Sequence, residues 1–505
     1  MKRLDTDIAI LGSGFAGSLM ALVLHRLGIE SIVLDRQAHP RFAIGESSTP
    51  LADMALRDIA GEYDLPRLAP LSKYGTWMAT YPHVMRGLKR GFSYFQHEAG
   101  RDFVPLPEHR SELLVAASTS DAESDTHWLR ADVDAFFAGE VQVAGVPLWE
   151  RAEIAELRRS EVGWTIEGRH DDDSMRIDAR FVIDASGEGS VLARVLAIPS
   201  ETPVLKTHSR GLFAHFAGMK LWREMLLERG AQLDDHPFNC DRAALHQVFD
   251  GAWMWQLRFD SEVVSAGFAI DPRRHPLDES VTPQQEWDQW LVRYPALREQ
   301  FAGAEIVAPA GGLRRTGRMQ RLWSVRAGSN WVMLPHTAGF IDPLQSTGIA
   351  HSLFGIEKLG RIFERHWKED RAELARALSN YAEQIGREIR LIDTYVSGCY
   401  DATPRFDLFA TMCLLYFAGT VTCERRRQAG GNGDELLYLG AEDSRLLEIA
   451  QRVVASLPEA KMQPTGSAAF HQWLAWVREL VLPYDKVGLF NPTARNMFHH
   501  TAAAK

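Results

Sequence analysis

The stretch TDIAILGSGFAGSLMALVLHRLGIESIVLDR, residues 6–36, decides the fold. Its apolar run Ile8–Leu11 reads as a strand. The run enters a G-x-G-x-x-G turn at Gly12, Gly14 and Gly17, with Ala16 inside it, and helical residues follow. Gly28 suits a helix C-cap, and SIVLD makes a second strand that ends on Asp35. The three glycines give a tight bend, close approach of backbone to a pyrophosphate, and contact between helix and strand. The helix N-terminus offers N–H groups to phosphates, and a carboxylate at Asp35 accepts hydrogen bonds from ribose hydroxyls. The pattern predicts an α/β chain that opens with a Rossmann-like dinucleotide-binding domain. It leaves FAD and NAD both open.

Two later segments bear on that choice. FVIDASGEGSVLAR (181–194) reads as a strand ending at Asp184. WVMLPHTAGFIDPLQSTGIAHSLFGIEKLGRIF (331–363) reads as strand, loop and long amphipathic helix. The N-terminus of that helix can carry its dipole to a flavin ring. No second G-x-G-x-x-G occurs between a strand and a helix, so a tightly held NAD(P)H domain is not expected.

The 505 residues are 46% hydrophobic with 14 tryptophans, enough for a large core. The net charge of −10 excludes general nucleic-acid affinity. Cys240, Cys399, Cys413 and Cys423 show no CxxC or metal-ligand spacing, so no metal is expected and a reducing cytoplasm suits the chain. The N-terminal MKR is followed by Asp5 and Asp7 and then by glycines, which is unlike a signal peptide. The uncharged run LFATMCLLYFAGTVTC (408–423) is too short for a bilayer span and reads as a buried helix, so no membrane contact is expected.

Taken together, the three nucleotide-side segments resemble the flavoprotein monooxygenase superfamily, in which they wrap one extended FAD. Within it the chain resembles the flavin-dependent halogenases of tryptophan, pyrrole and phenol type, from the N-terminus to about residue 365. Four places carry the likeness. RFAIGESSTP (41–50) matches the flavin-side loop, with Ile44, Gly45, Glu46 and Pro50 in register. LKRGFSYF (88–95) sets Lys89 on a strand where such enzymes carry their catalytic lysine, with Arg90 facing the other way. GAWMWQLRF (251–259) is a degenerate G-W-x-W-x-I-P, with Trp253 and Trp255 in the tryptophan places, but Ala252 and Arg258 in place of glycine and proline. FIDPLQSTGI (340–349) matches the flavin and halide loop through Asp342, Thr347, Gly348 and Ile349.

The resemblance implies reduced FAD from a separate flavin reductase, O2, and chloride or bromide. Hypohalous acid made at the flavin would be guided by Lys89 to a small aromatic substrate. Thr347 and Gly348 would seat the halide, and Trp253 and Trp255 would shield the flavin. Arg130, in LRADVDAFF (129–137), would contact FAD. Gln345 stands where tryptophan halogenases have glutamate. It carries no charge, which favours phenols or pyrroles with their own electron donor over tryptophan. His336, in PHTAGF, replaces the aspartate of G-D-A and either touches flavin or fills a loop.

Residues 1–350 are expected to form the FAD module, with a substrate-side antiparallel sheet mainly in 80–110 and 205–340. Residues 351–505 are expected to be mostly helical, and the protein a monomer or homodimer. The altered AWMWQLR keeps a rival reading alive, a flavin monooxygenase or oxidoreductase of the same fold that uses no halide.

Overall fold

A computed structural model describes residues 1–369, 371–431 and 435–503. The three nucleotide-side segments lie side by side in one sheet. Lys2–Leu11 pairs in parallel with Ser31–Leu34 on one side and Asp173–Asp184 on the other. Leu148–Trp149 and Trp331–Met333 extend the sheet in parallel at its two flanks. The inner ends of these strands are continuous apolar runs, buried on both faces. Parallel pairing brings Gly12, Asp35, Asp184 and the 334–346 loop to one carboxyl edge, where open α/β sheets bind ligands.

The second sheet runs in the order Glu305–Ala308, Arg210–Ala217, Val264–Ile270, Ala252–Arg258, Ala244–Phe249, Gly91–Gln96, Glu112–Ala116 and Met497–Phe498. It is mainly antiparallel, but Ala244–Phe249 joins Gly91–Gln96 in parallel, as Met497–Phe498 joins Glu112–Ala116. The last two strands lie outside the ranges expected for this sheet. The expected boundary at residue 350 also falls inside a continuous helix, Thr347–His366.

The single strand expected across residues 87–95 is two strands. Arg86–Lys89 pairs with Asp125–Trp128, and the chain then steps at Arg90 into Gly91–Gln96 of the large sheet. The flanking glycines permit the step. A Cβ on Gly87 would lie 2.1 Å from the Arg258 carbonyl oxygen, and one on Gly91 2.0 Å from that of Val115. Lys89 is therefore held where two sheets meet.

Helices Arg371–Ala402, Phe406–Gln428, Ser444–Met462 and Ala468–Val481 build most of the C-terminal part. The uncharged run is the middle of a 23-residue helix, long and apolar enough to cross a bilayer, but 94% of its apolar window is buried inside the protein. It packs against Arg371–Ala402 as a core helix. Beside it Glu388 is fully buried, accepting from Lys358 Nζ at 2.8 Å, His351 Nε2 at 3.0 Å and the Tyr438 amide at 2.9 Å.

Candidate active site

Lys89 has no exposed surface. Its Nζ donates to the carbonyl of Ser48, in the flavin-side loop, and sits 4.0 Å from the centroid of the Phe92 ring. Ser48 is itself fixed, its amide donating to Thr126 O at 3.0 Å and its Oγ accepting from Thr126 N at 3.1 Å. Folding thus brings the first two motifs into direct contact. Burial and the Lys89 ammonium push His127 down to about 3, and burial, helped by Lys89 and opposed by the hydrogen bond to the Ser93 carbonyl, does the same for His246. Neutral imidazoles therefore flank the lysine. Arg90 points away to Asp121, at 2.7 Å.

Phe92 also lines a narrow apolar pocket with Pro50, Leu51, Val115, Phe417 and Val421. Thr501 and Ala502 of the C-terminal segment form part of its wall. Ala503 N donates to Glu424 Oε2 at 2.9 Å and fastens that segment.

Trp253 and Trp255 share one face of their strand, with ring centroids 5.8 Å apart. That face packs into the core shared with the flavin-side domain, while Ala252 and Met254 face a separate cluster under the sheet. Gly267 makes room for the second indole, since a Cβ there would meet Trp255 Cζ2 at 2.4 Å. Trp253 Nε1 donates to the Tyr400 hydroxyl at 3.0 Å. Tyr400 donates to Asp342 Oδ2 at 2.9 Å, Ser209 donates to the same oxygen, and the Leu344 amide donates to Oδ1 at 3.1 Å. Burial pushes the Asp342 carboxyl up to about 6 against these donors. The third and fourth motifs are thereby bonded to each other.

Gln345 is fully enclosed. Its Oε1 accepts from Tyr94 at 3.1 Å, its Nε2 donates to the sulfurs of Cys399 and Cys413, and its backbone carbonyl accepts from Tyr416 at 3.0 Å. The side chain is locked in place. Ser346 then adopts the left-handed conformation, and the helix opens at Thr347 with no side-chain cap. Thr347 and Ile349 are buried, and a Cβ on Gly348 would meet nothing within 4 Å. Uncapped N–H groups beside open space suit an anion or a flavin edge.

At the glycine turn Asp35 is held below its ordinary value. Burial opposes ionisation, but Arg41, at 3.0 Å, and the amides of Gln37 and Ser13 outweigh it. Arg130 grips Asp134 through two bonds of 2.9 Å and donates to the carbonyls of Ile44 and Gly45. Asp134 also accepts the Phe15 amide at 3.1 Å. A Cβ on Gly14 would come no closer than 3.6 Å to the surrounding Arg130, Asp134 and Arg41 side chains. An uncapped helix start, a charged cradle and small residues fit a dinucleotide pyrophosphate. Glu46 is buried with Oε1 3.0 Å from His215 Nε2. His336 stays neutral, lowered to about 3 by desolvation and by Arg321 and Arg130.

Sequence reasoning missed Arg41, Asp134, Tyr94, His215, Ser209 and Tyr400. Arg41 lies in a motif already singled out, and Asp134 stands four residues after Arg130, the spacing of helical ion pairs. Ser209 and Tyr400 carry no local signal.

Gly17 gives a direct check on the cofactor cradle. A Cβ there would lie 2.0 Å from the Gly12 carbonyl oxygen, so the turn itself must move. Gly17→Ala is expected to weaken FAD binding by at least about tenfold, read as flavin absorbance retained on purification. Undiminished flavin content would refute the cradle.

The tryptophan halogenase family model matches residues 248–412. Monodechloroaminopyrrolnitrin halogenase PrnC of Pseudomonas fluorescens is 28% identical over 422 residues, 82% of this chain and 71% of that protein. Tetracycline 7-halogenase of Kitasatospora aureofaciens is 30% identical over 361 residues, 68% of this chain and 61% of that protein. The crystal structure of halogenase PltM with phloroglucinol and FAD has the same fold, with a TM-score of 0.85 at 22% identity over 98% of this chain and 99% of that one. The matched family model and these relatives are halogenases, and the chain is similar to them in sequence and to PltM in fold.

Proposed function

We propose that the protein halogenates an electron-rich aromatic, phenolic, pyrrole or indole in type, using chloride or bromide, O2 and reduced FAD from a separate reductase. The observation that carries this reading is the buried Lys89 ammonium stacked on Phe92, itself a wall of an apolar cavity. Bound reduced FAD supplies, with O2, the oxidising equivalent that turns halide into an electrophilic halogen. Gly12, Gly14, Ala16, Gly17 and Arg130 would hold its phosphates and Asp35 its ribose, with Ile44, Glu46, Asp342 and Ile349 on the flavin side. The amides of Thr347 and Gly348 bind halide at the helix start. Trp253 and Trp255 wall the path and exclude water. Lys89 would hold the hypohalous acid by a hydrogen bond from its ammonium or, after losing a proton, take the halogen as a haloamine with release of water, and present it to the ring.

The locked, uncharged Gln345 supports a substrate that stabilises its own cationic intermediate, as a phenol does. Phloroglucinol, held by PltM, is such a phenol.

The test supplies the purified protein with a flavin reductase, FAD, NADH and bromide, against panels of phenols, pyrroles and indoles. Brominated product, strongest with phenols, is expected. Hydroxylated product, or none with any panel, would overturn the proposal and favour an oxidoreductase without halide use.

A further inference from the structure

Away from the flavin side, three chain segments converge at the edge of the large sheet. His109 ends a short turn, Glu112 opens the strand Glu112–Ala116 opposite Phe95, and His236 comes from the loop before Cys240. His109 Nδ1 lies 2.5 Å from Glu112 Oε1, and His236 Nε2 lies 3.6 Å from the same oxygen. The three side chains are 12%, 4% and 5% exposed. Glu112 Oε2 and His236 Nε2 are buried without a hydrogen-bond partner. A buried carboxylate oxygen and an imidazole nitrogen without hydrogen bonds, in a cluster whose ligand atoms all lie within 4.8 Å of one another, can be satisfied by a shared ligand.

We propose that His109, Glu112 and His236 bind one divalent transition metal, zinc foremost, with Asp235 orienting His109. The donor set of two imidazoles and one carboxylate is one that zinc accepts. Ligand atoms around tetrahedral zinc stand about 3.3 Å apart, and here they all lie within 4.8 Å of one another, so small side-chain movements complete the shell. Asp235 Oδ2 lies 2.8 Å from His109 Nε2. A carboxylate there fixes the ring tautomer and frees Nδ1 for the metal.

The site has a structural task. The His109 carbonyl accepts from Asn496 Nδ2 at 3.0 Å, and the Asn496 carbonyl accepts from the Leu114 amide at 2.9 Å. A metal would pin the turn from which the strand Met497–Phe498 hangs, just before the segment that walls the cavity. Cysteine counting gave no hint of it, because the ligands are His and Glu and the third is remote in sequence.

The test titrates zinc chloride into full-length, FAD-loaded, EDTA-treated protein by calorimetry, with metal analysis after dialysis. One zinc per chain is expected. Glu112→Gln and His236→Ala should each lower the affinity at least about tenfold, and Asp235→Asn by about ten- to a hundredfold. Cobalt chloride should give a visible band that the Glu112→Gln and His236→Ala variants lose. Circular dichroism and retained flavin confirm that each variant is folded; if Glu112→Gln does not fold, His236→Ala alone decides. Absence of saturable zinc binding, or equal binding by wild type and His236→Ala, would overturn the site and leave a histidine–carboxylate ion pair.

Discussion

Lys89→Ala is expected to lower halogenated product by about 10²- to 10⁴-fold while FAD still binds normally. The residue has no exposed surface, and its Nζ meets the Ser48 carbonyl and the Phe92 ring. Under the proposed function, alanine removes the group that would hold an oxidised halogen beside the pocket. Flavin is still expected to bind, because the glycine turn and the 346–349 helix start do not touch the lysine, and the 41–50 loop loses its bond to Lys89 at Ser48. Lys89→Met, which keeps most of the side-chain length, separates chemistry from packing. It should match Lys89→Ala in activity but hold the wild-type melting temperature more closely. Lys89→Arg should not rescue, since a planar guanidinium does not fit a fully enclosed ammonium site. A Lys89→Met protein with activity within about threefold of wild type would remove the lysine from the reaction.

Glu388→Gln is expected to destabilise the protein by about 3–5 kcal/mol in denaturant melts, with no direct effect on the chemistry. The carboxylate bonds Lys358, His351 and the Tyr438 amide in the interior of the helical part. The neutral amide leaves the Lys358 ammonium, only 6% exposed, without its counter-charge. Burial raises the Glu388 carboxyl, but Lys358 and His351 win and bring it down to about 2. A depressed carboxylate stabilises the fold above its unfolded value of about 4.3. The contribution, about 3 kcal/mol in size, is lost as pH falls from there toward 2. The stability gap between wild type and Glu388→Gln should therefore be full near neutrality and shrink below about pH 4. A gap that is flat across that window would show that Glu388 is not the titrating group.

Much of this was legible in the chain. The glycine turn at Gly12, Gly14 and Gly17, the apolar strands and the long helices follow from short-range sterics and periodicity, and the structure contains them. The break at Arg90 was not legible, because strand propensity continues through LKRGFSYF. The step depends on the close approach of Arg258 and Val115 backbone to Gly87 and Gly91. Asp342 and Gln345 read as flavin and substrate residues in their local motif. Their partners Ser209, Tyr400, Tyr94 and Cys413 come from distant segments, which no local pattern specifies.

The sequence by itself determined a dinucleotide-binding α/β chain with a lysine on a strand and a glycine-bearing helix start, since backbone geometry and side-chain alternation are local properties. Tertiary structure alone decided that the lysine is enclosed against Ser48 and Phe92, that Trp253 is tied to Asp342 through Tyr400, and that His109, Glu112 and His236 meet. Those facts depend on which remote segments share one interior, and that is settled by the packing of whole sheets and helices against each other.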